Sequence, residues 1–211
     1  MIPYQFIAIE GTIGAGKTSL ATRISQDFNA KLILEQFEDN AFLPKFYEDQ
    51  DKYAFPLEMS FMASRFQQLK DQLGTHDLFR NFIISDYYVA KSLIFARKTL
   101  QPDEFNLFNR FFQLIDISLP KPDLLVYLYL HVDKLQENIR KRGRSYEQHI
   151  KDEYLDQIQS GYFEFIRQQP EMRILLLDTN HLDFVSNNDD YQTVINVISR
   201  EYPFGVHRIT F

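Results

Sequence analysis

Eight residues near the amino terminus have a spacing that suits the binding of a triphosphate. Residues 11–18 read Gly-Thr-Ile-Gly-Ala-Gly-Lys-Thr and fit the phosphate-binding pattern G-x-x-x-x-G-K-[ST] without a mismatch. Glycine lacks a Cβ atom and tolerates left-handed dihedrals, so successive N–H groups can converge on a phosphate at a helix N-terminus. Lys17 would face the β- and γ-phosphates, and the Thr18 hydroxyl would face Mg²⁺. The pattern predicts a nucleoside triphosphate as ligand.

Two carboxylates stand where predicted strands end, and each has two interpretations. An apolar run at 31–35 ends in Glu35, and another at 82–86 ends in Asp86. Ligands of open parallel sheets bind beyond the carboxyl ends of the strands, so both acids should face the phosphate-binding loop. Asp86 could then bind Mg²⁺ with Thr18, and Glu35 could accept the proton of an acceptor hydroxyl. Alternatively, each acid caps the helix that follows it.

Cations cluster at one point of an otherwise acidic chain. Arg140-Lys141-Arg142-Gly143-Arg144 places four positive charges among five residues, although the chain of 211 residues has a net charge of −6. Guanidinium groups match phosphate oxygens, so this cluster could stabilise a transferred phosphoryl group. A solvated helix end explains the same charges equally well. The predicted ATP-binding residues are Gly11, Thr12, Ile13, Gly14, Ala15, Gly16, Lys17, Thr18, Ser19, Arg140, Arg142 and Arg144.

The elements that must position these residues alternate between strands and helices. Apolar runs rich in strand formers predict strands near residues 4–9, 31–35, 82–86, 123–130 and 173–178. Helical spacing predicts helices near residues 17–28, 53–74, 87–98, 102–118, 132–141, 147–168 and 189–200. This alternation predicts one α/β domain over residues 1–211, with helices on both faces of a five-stranded parallel sheet. The segment 202–211 carries no prediction.

Composition narrows the class of protein. The chain has 45% hydrophobic and 25% charged residues, no cysteine, and no apolar run near the ~18 residues of a membrane span. The absence of cysteine excludes disulfides and thiolate chemistry, and the acidic charge disfavours a nucleic-acid partner. Without a signal-peptide pattern, we expect a cytoplasmic protein with no membrane partner. The histidines, which form no metal-ligand spacing, are His76, His131, His149, His181 and His207.

Three ordered segments resemble the deoxynucleoside kinase family, the P-loop enzymes that phosphorylate the 5′-hydroxyl of deoxynucleosides. The first is 10–18, and the second is Leu34-Glu35 followed by Asn40-Ala41-Phe42-Leu43 and Phe46-Tyr47. The third is Arg142-Gly143-Arg144-Ser145-Tyr146-Glu147-Gln148. The likeness covers nearly the whole chain. It implies the P-loop kinase fold, and it implies that the third segment is the family's arginine-rich lid, which closes over the phosphates.

The resemblance also assigns roles to single residues. Glu35 falls where the family keeps its general base for the 5′-hydroxyl. Tyr47 and Glu147 match the pair that holds the deoxyribose 3′-hydroxyl. Arg65 falls on the arginine that contacts the nucleobase and nearby carboxylates.

Helical spacing favours a base pocket next to Arg65. Glu58, Met62 and Arg65 share one helical face, where two charges and a methionine could line a site for a planar base. A salt-bridged face exposed to solvent is the alternative. Phe61 and Phe95 are expected near the base, because aromatic rings stack on nucleobases.

Glu58 departs from the family's pattern, since most members carry glutamine there. An ionised glutamate only accepts hydrogen bonds, whereas an amide both donates and accepts. Glu58 could accept from N1–H and N2–H₂ of guanine, or from an exocyclic amine of adenine or cytosine. Alternatively, it pairs with Arg65 and does not read the base.

A second departure is Tyr87, which stands where the family usually has an arginine that helps to place the base and the phosphates. Its substitute could be Arg65, Arg140 or Lys91. The segment 86–92 is also similar to thymidylate kinases, whose equivalent segment begins Asp-Arg, so a nucleotide acceptor stays open.

These residues together predict an ATP- and Mg²⁺-dependent deoxynucleoside kinase, with Glu35 as base and Lys17, Arg142 and Arg144 stabilising the transferred group. The resemblance favours a purine, deoxyadenosine ahead of deoxyguanosine, and implies a homodimer. One alternative is a thymidylate-like nucleoside monophosphate kinase, although residues 35–51 contain Lys45 as their one cation. Another is a non-catalytic P-loop nucleotide-binding regulator, which would have no need of a sugar clamp.

Overall fold

A parallel sheet forms the centre of the molecule. The computed structural model describes residues 2–36, 40–74 and 79–211. In these residues the strands are β1 (Phe6–Gly11), β2 (Lys31–Ile33), β3 (Ile83–Ser85), β4 (Leu124–Tyr129), β5 (Arg173–Asp178) and β6 (Gly205–Thr210). All six pair in parallel, in the spatial order β2-β3-β1-β4-β5-β6. The predicted α/β class is confirmed, and the predicted number of five strands was wrong.

The strand that the sequence did not predict is β6, at one edge of the sheet. It pairs with β5, and Arg208 stands opposite Leu176. Its residues alternate between half-buried and exposed, because successive side chains point to opposite faces and one face of this strand is in solvent. The segment therefore lacks the continuous apolar run of a strand buried on both faces.

Helices cover the sheet. Those in the described residues are α1 (Lys17–Asp27), α2 (Leu43–Glu48), α3 (Gln50–Leu73), α4 (Ala90–Thr99), α5 (Pro102–Asp116), α6 (Val132–Arg142), α7 (Asp152–Arg167) and α8 (Asn188–Ile198), with a 3₁₀ turn at Ser145–Glu147. α2 was not predicted, because six residues are too few to show a helical period. The predicted helix at 147–168 was wrong at its start: α7 begins at Asp152, where two acids in its first turn suit the helix dipole.

The central strands are buried on both faces. Along β1, Ile7 and Ile9 belong to one hydrophobic cluster, whereas Ala8 belongs to a second cluster on the other side of the sheet. Successive residues of a strand point to opposite faces, so this alternation places helices on both sides. A third, small cluster joins α2 to α3 through Phe46 and Leu57.

This arrangement gathers chain segments at the carboxyl ends of the strands. β1, β2 and β3 end next to one another, and α2 and α3 form a wall beside them. No helix among the described residues is long and apolar enough to span a membrane.

Candidate active site

The phosphate-binding loop runs from the end of β1 to the start of α1. Gly14 and Gly16 adopt left-handed backbone conformations, with φ of 88° and 86°. A Cβ atom on Gly14 would lie 2.7 Å from the carbonyl oxygen of Leu135, and one on Gly16 would lie 2.9 Å from the ring of Phe184. Both positions require glycine for conformation and for space.

Lys17 and Thr18 begin α1 at the end of this loop. Lys17 Nζ donates to the carbonyl oxygen of Thr12 at 3.1 Å. Burial, and then the charge of Lys91, lowers the pKa of Lys17 to about 8, so the amine is still mostly protonated at neutral pH. Thr18 Oγ1 donates to Asp86 Oδ2 at 2.6 Å.

The pair of Thr18 and Asp86 fits a magnesium site. A hydroxyl and a carboxylate oxygen are ligands that Mg²⁺ prefers, and the ion usually keeps water and phosphate oxygens as its other ligands. No cluster of three or more His, Cys, Asp or Glu side chains suited to a metal occurs in the described part of the chain. Of the five histidines, His76 lies outside the described residues.

A cavity, here called the loop cavity, opens beside the phosphate-binding loop. Residues 14–19 line it together with Arg142 and Arg144. Gly11 and Thr12 are buried beneath the loop and do not line it. The structure does not bring Arg140 to this cavity, because its side chain is exposed on another part of α6.

Two residues of α6 that were given no role in the sequence analysis, Lys134 and Asn138, line the loop cavity together with Lys141 of the cation cluster. Lys134, Asn138 and Lys141 are spaced i, i+4 and i+7, so one helical face carries all three. Asn138 Nδ2 donates to the carbonyl oxygen of Gly14 at 2.8 Å and ties α6 to the loop. This polar spacing is the signal that could have identified them.

Glu35 is held by two cations at the carboxyl end of β2. Arg65 Nε donates to Glu35 Oε1 at 2.8 Å, and Lys91 Nζ donates to Oε2 at 2.5 Å. Burial alone would raise the pKa of Glu35, but the charges of Lys91 and Arg65 lower it to about 2. Asp86 Oδ1 accepts from the backbone N–H of Glu35 at 2.7 Å. Glu35 is therefore ionised at neutral pH and fixed beside Asp86.

The alternative in which these two acids cap helices does not match the structure. Neither α2 nor α4 has a side-chain hydrogen bond at its N-cap residue. Tyr87, at the position of the family's arginine, is buried and donates to Gln68 Oε1 at 2.6 Å. Of its three proposed substitutes, Arg65 and Lys91 contact Glu35, and Arg140 does not.

The lid follows α6. Gly143 ends the helix in a left-handed conformation, with φ of 75°, and separates two arginines. Arg142 Nε donates to Glu147 Oε2 at 3.0 Å, and Arg144 Nη1 lies 3.3 Å from Oε1. Glu147 is buried, so its carboxylate orients both lid arginines.

A second cavity, here called the inner cavity, lies between α2, α3, α4 and the lid. Seven residues predicted to bind the acceptor line it, namely Glu35, Tyr47, Glu58, Phe61, Arg65, Phe95 and Glu147. Met62, which was also predicted to line the base site, instead packs into the hydrophobic cluster that contains Ala8. The guanidinium of Arg65 lies 4.7 Å from the ring centre of Phe61. Tyr47 stacks on Tyr146, with ring centres 6.1 Å apart. Tyr154 of α7 also lines the cavity, and no sequence pattern pointed to it.

Glu58 is the least satisfied polar group of the inner cavity. Its side chain is on α3 and the residue is 2% exposed. Thr99 Oγ1 lies 3.3 Å from Oε1, and Oε2 has no hydrogen-bond partner in the described part of the chain. Burial raises the pKa of Glu58 to about 7. Arg65 pairs with Glu35 and forms no ion pair with Glu58 in the described residues, although its charge lowers the pKa of Glu58 against the effect of burial.

The two cavities meet. Lys17, Thr18, Arg142 and Arg144 line both of them. A phosphate held by the loop would therefore face the inner cavity across these four side chains, which carry three positive charges and a hydroxyl.

Comparison with known proteins agrees with this geometry. The sequence profile of the family described as deoxynucleoside kinase matches residues 7–202. A deoxyguanosine kinase from Bacillus subtilis (strain 168) is 40% identical over 90% of this chain and 93% of its own length. A deoxyadenosine kinase from Dictyostelium discoideum is 32% identical over 93% of this chain and 78% of its own length.

The fold agrees as well. The structure of a deoxyadenosine kinase from M. mycoides with bound dATP superposes with a TM-score of 0.79 and 25% sequence identity. The match covers 92% of this chain and 100% of that chain. With a phosphate-binding loop, an arginine-rich lid and a profile match over most of its length, the chain belongs to the deoxynucleoside kinase family and is a phosphotransferase.

Proposed function

We propose that this protein transfers the γ-phosphoryl group of ATP to the 5′-hydroxyl of a purine deoxynucleoside. The observation that carries the proposal is the junction of the two cavities at Lys17, Thr18, Arg142 and Arg144. A donor in the loop cavity and an acceptor in the inner cavity would meet there. The purine is supported by the relatives, one of which is described as a deoxyguanosine kinase and another as a deoxyadenosine kinase.

Each charged group at the junction suits one part of phosphoryl transfer. Glu35 is ionised, so it can orient the 5′-hydroxyl and take up its proton. A carboxylate with a pKa of about 2 is a weak base. Phosphoryl transfer through a loose transition state depends mainly on positioning and on stabilising negative charge, so a weak base is sufficient. Lys17, Arg142 and Arg144 stabilise the charge on the transferring group.

The remaining polar groups suit the sugar and the metal. Tyr47 and Glu147 would bind the 3′-hydroxyl from the lid side of the inner cavity. Thr18 and Asp86 would hold Mg²⁺, which when bound neutralises charge on the β- and γ-phosphates.

The same contacts disfavour a nucleoside monophosphate as acceptor. Such an acceptor needs free cations near Glu35, and both Arg65 and Lys91 are already paired with that carboxylate. A non-catalytic regulator gives no reason for the carboxylates of Glu35 and Glu58 to line the inner cavity.

We further propose that the chain is one domain over residues 1–211, that it is cytoplasmic, and that it forms a homodimer. Leu107, Phe111 and Leu114 on α5 are exposed apolar side chains, and a second copy of the chain would cover them. Sedimentation velocity of the purified protein measures this association.

The activity is tested with purified protein, ATP and Mg²⁺ against the four deoxynucleosides and their monophosphates, by product mass and ADP release. We expect deoxyadenosine and deoxyguanosine to be phosphorylated and the monophosphates to be left unchanged. The Glu35→Gln variant should lose about 10²–10⁴-fold in kcat and keep its affinity for ATP. Glu153→Gln, the same substitution at an exposed position, is the matched control and should retain kcat. Phosphorylation of monophosphates alone, or full turnover by Glu35→Gln, would contradict the proposal.

A further inference from the structure

Glu58 presents a buried carboxyl group to the inner cavity with one of its oxygens unpaired. The residue is 2% exposed, and Oε2 has no hydrogen-bond partner in the part of the chain that the structure describes. A buried carboxylate without a partner is strongly unfavourable, and proteins commonly avoid this situation by protonation or by a ligand. The group therefore has one oxygen available for a ligand of this cavity.

The other carboxyl oxygen of Glu58, Oε1, lies near one hydrogen-bond donor, the hydroxyl of Thr99, which a second acceptor also contacts. Thr99 Oγ1 lies 3.3 Å from Glu58 Oε1 and 3.0 Å from the carbonyl oxygen of Phe95. A threonine hydroxyl carries one proton and cannot donate to both acceptors at once. When Glu58 carries a proton on Oε2, Oε1 can still accept from Thr99, and the proton stays available to a ligand of the cavity. The contacts thus accommodate both the neutral acid and the carboxylate.

The charged and titratable groups that act on Glu58 come from each element around the inner cavity. They are Arg65 on α3, Lys91 on α4, Glu35 after β2, Tyr47 on α2 and Tyr154 on α7. Burial raises the pKa of Glu58 most strongly, while Arg65, Thr99 and Lys91 oppose the rise. Across the cavity, the lid contributes Arg142, Arg144 and Glu147.

The two protonation states of Glu58 match different purines. The Watson–Crick edge of guanine offers two donors, N1–H and N2–H₂, which a carboxylate can accept together. The same edge of adenine offers N6–H₂ as donor and N1 as acceptor. Only the neutral acid can accept from the first and donate to the second, as the family's glutamine does with its amide.

We propose that the protonation state of Glu58 sets the base preference of this kinase, with the carboxylate selecting guanine and the neutral acid selecting adenine. The inference rests on the proposed function, because it requires a purine deoxynucleoside in the inner cavity. A mismatched form leaves a buried polar group unpaired, which is the kind of contact by which sites reject an analogue strongly.

The preference for deoxyadenosine over deoxyguanosine should depend on pH in a defined way. If each form accepts one base, the ratio of kcat/KM for deoxyadenosine to that for deoxyguanosine follows the ratio of neutral to ionised Glu58. That ratio falls about tenfold for each pH unit, whatever the absolute pKa of Glu58. Groups that serve both substrates, such as Glu35 and Lys17, cancel from the ratio, and neither base changes its own protonation state near neutral pH.

The test measures kcat/KM for both deoxynucleosides from about pH 5.5 to about pH 8.5 in the unmodified protein, Glu58→Gln and Glu153→Gln. The unmodified protein and Glu153→Gln should both show the tenfold decrease per pH unit. Glu58→Gln should show a pH-independent ratio shifted towards deoxyadenosine, since the amide keeps a donor and an acceptor at every pH. A flat ratio in the unmodified protein, or an equal slope in Glu58→Gln, would overturn the proposal.

Calorimetry supplies a readout that does not depend on turnover. Binding titrations in buffers of different ionisation enthalpy should show proton uptake with deoxyadenosine and proton release with deoxyguanosine near neutral pH, and neither with Glu58→Gln. Binding of both nucleosides without proton exchange overturns the inference and leaves the proposed function intact. If neither nucleoside binds or is phosphorylated, both the inference and the proposed function are wrong.

Discussion

Replacing Glu58 by glutamine should change how the stability of the protein depends on pH, even with no substrate present. The amide keeps the volume of the carboxyl group and an acceptor for Thr99, but it cannot ionise. Burial raises the pKa of Glu58 to about 7 in the folded protein. In the unfolded chain a glutamate has a pKa of about 4.3. The folded state therefore binds a proton more tightly than the unfolded state does.

The size of the effect follows from these two pKa values. A raised pKa in the folded state gives stability that is fully present below about pH 4.3 and is lost as the pH rises through about 7. Linkage predicts a loss of roughly 2 kcal/mol between about pH 5 and about pH 7.5 from Glu58 alone. Glu58→Gln removes this loss, so its stability relative to the unmodified protein should increase by roughly 2 kcal/mol over that interval.

The assay is urea unfolding at several pH values across this interval, followed by circular dichroism. Glu153→Gln is the matched control, because the same chemical change is made at an exposed carboxylate. Other titrating groups are common to all three proteins and cancel from the differences. The curve for Glu153→Gln should run parallel to that of the unmodified protein.

One result would refute the reasoning. If the difference between Glu58→Gln and the unmodified protein stays constant within about 0.5 kcal/mol across the interval, Glu58 does not titrate near neutral pH. A difference that grows towards acid pH would mean that Glu58 is stabilised as a carboxylate, which is opposite in sign to the effect of burial.

Two further substitutions test the geometry around Glu35 and the loop. Lys91→Met removes the cation that lies 2.5 Å from Glu35 Oε2, so the pKa of Glu35 should rise by roughly 1–3 units and kcat should fall. Kinetics against pH and ATP titration would measure the two effects, and an unchanged kcat would contradict the positioning of Glu35 by Lys91. Gly14→Ala places a Cβ atom 2.7 Å from the carbonyl oxygen of Leu135, whereas no atom of the described residues lies within 4 Å of a Cβ atom added at Gly143. Both glycines have positive φ, so Gly143→Ala should lower the free energy of unfolding by about 1–2 kcal/mol through backbone strain, and Gly14→Ala should lower it clearly more. Denaturant unfolding measures both losses, and equal losses would refute the clash at Gly14.

The sequence by itself determined the parts of this protein whose signal lies in neighbouring residues. The glycines of the loop, Lys17 and Thr18 stand in one continuous pattern. An apolar run rich in strand-forming residues precedes this pattern, and residues with helical spacing follow it, so the order strand, loop and helix was predictable. The lid arginines and Glu147 are also close in the chain, so their segment was recognisable as a unit. The buried strands were predictable from their apolar runs, because both of their faces are covered.

The two elements that were not predicted, β6 and α2, have sequences without a clear strand or helix pattern. β6 is an edge strand, half of whose residues meet solvent, so its composition resembles that of a loop. α2 is shorter than the window in which a helical period can be recognised, and its position depends on packing against α3 through Phe46 and Leu57.

Only the tertiary structure determined the ion pairs and the protonation states of the site. Whether Glu35 pairs with Arg65, Lys91 or Arg140 depends on three separate helices, and the fold brings two of these cations to it and turns the third to solvent. Glu58 is a charged residue by composition, yet its burial and its unpaired oxygen give it a pKa near neutrality. Protonation depends on burial and on distances to residues far apart in the chain, and no local pattern contains those quantities.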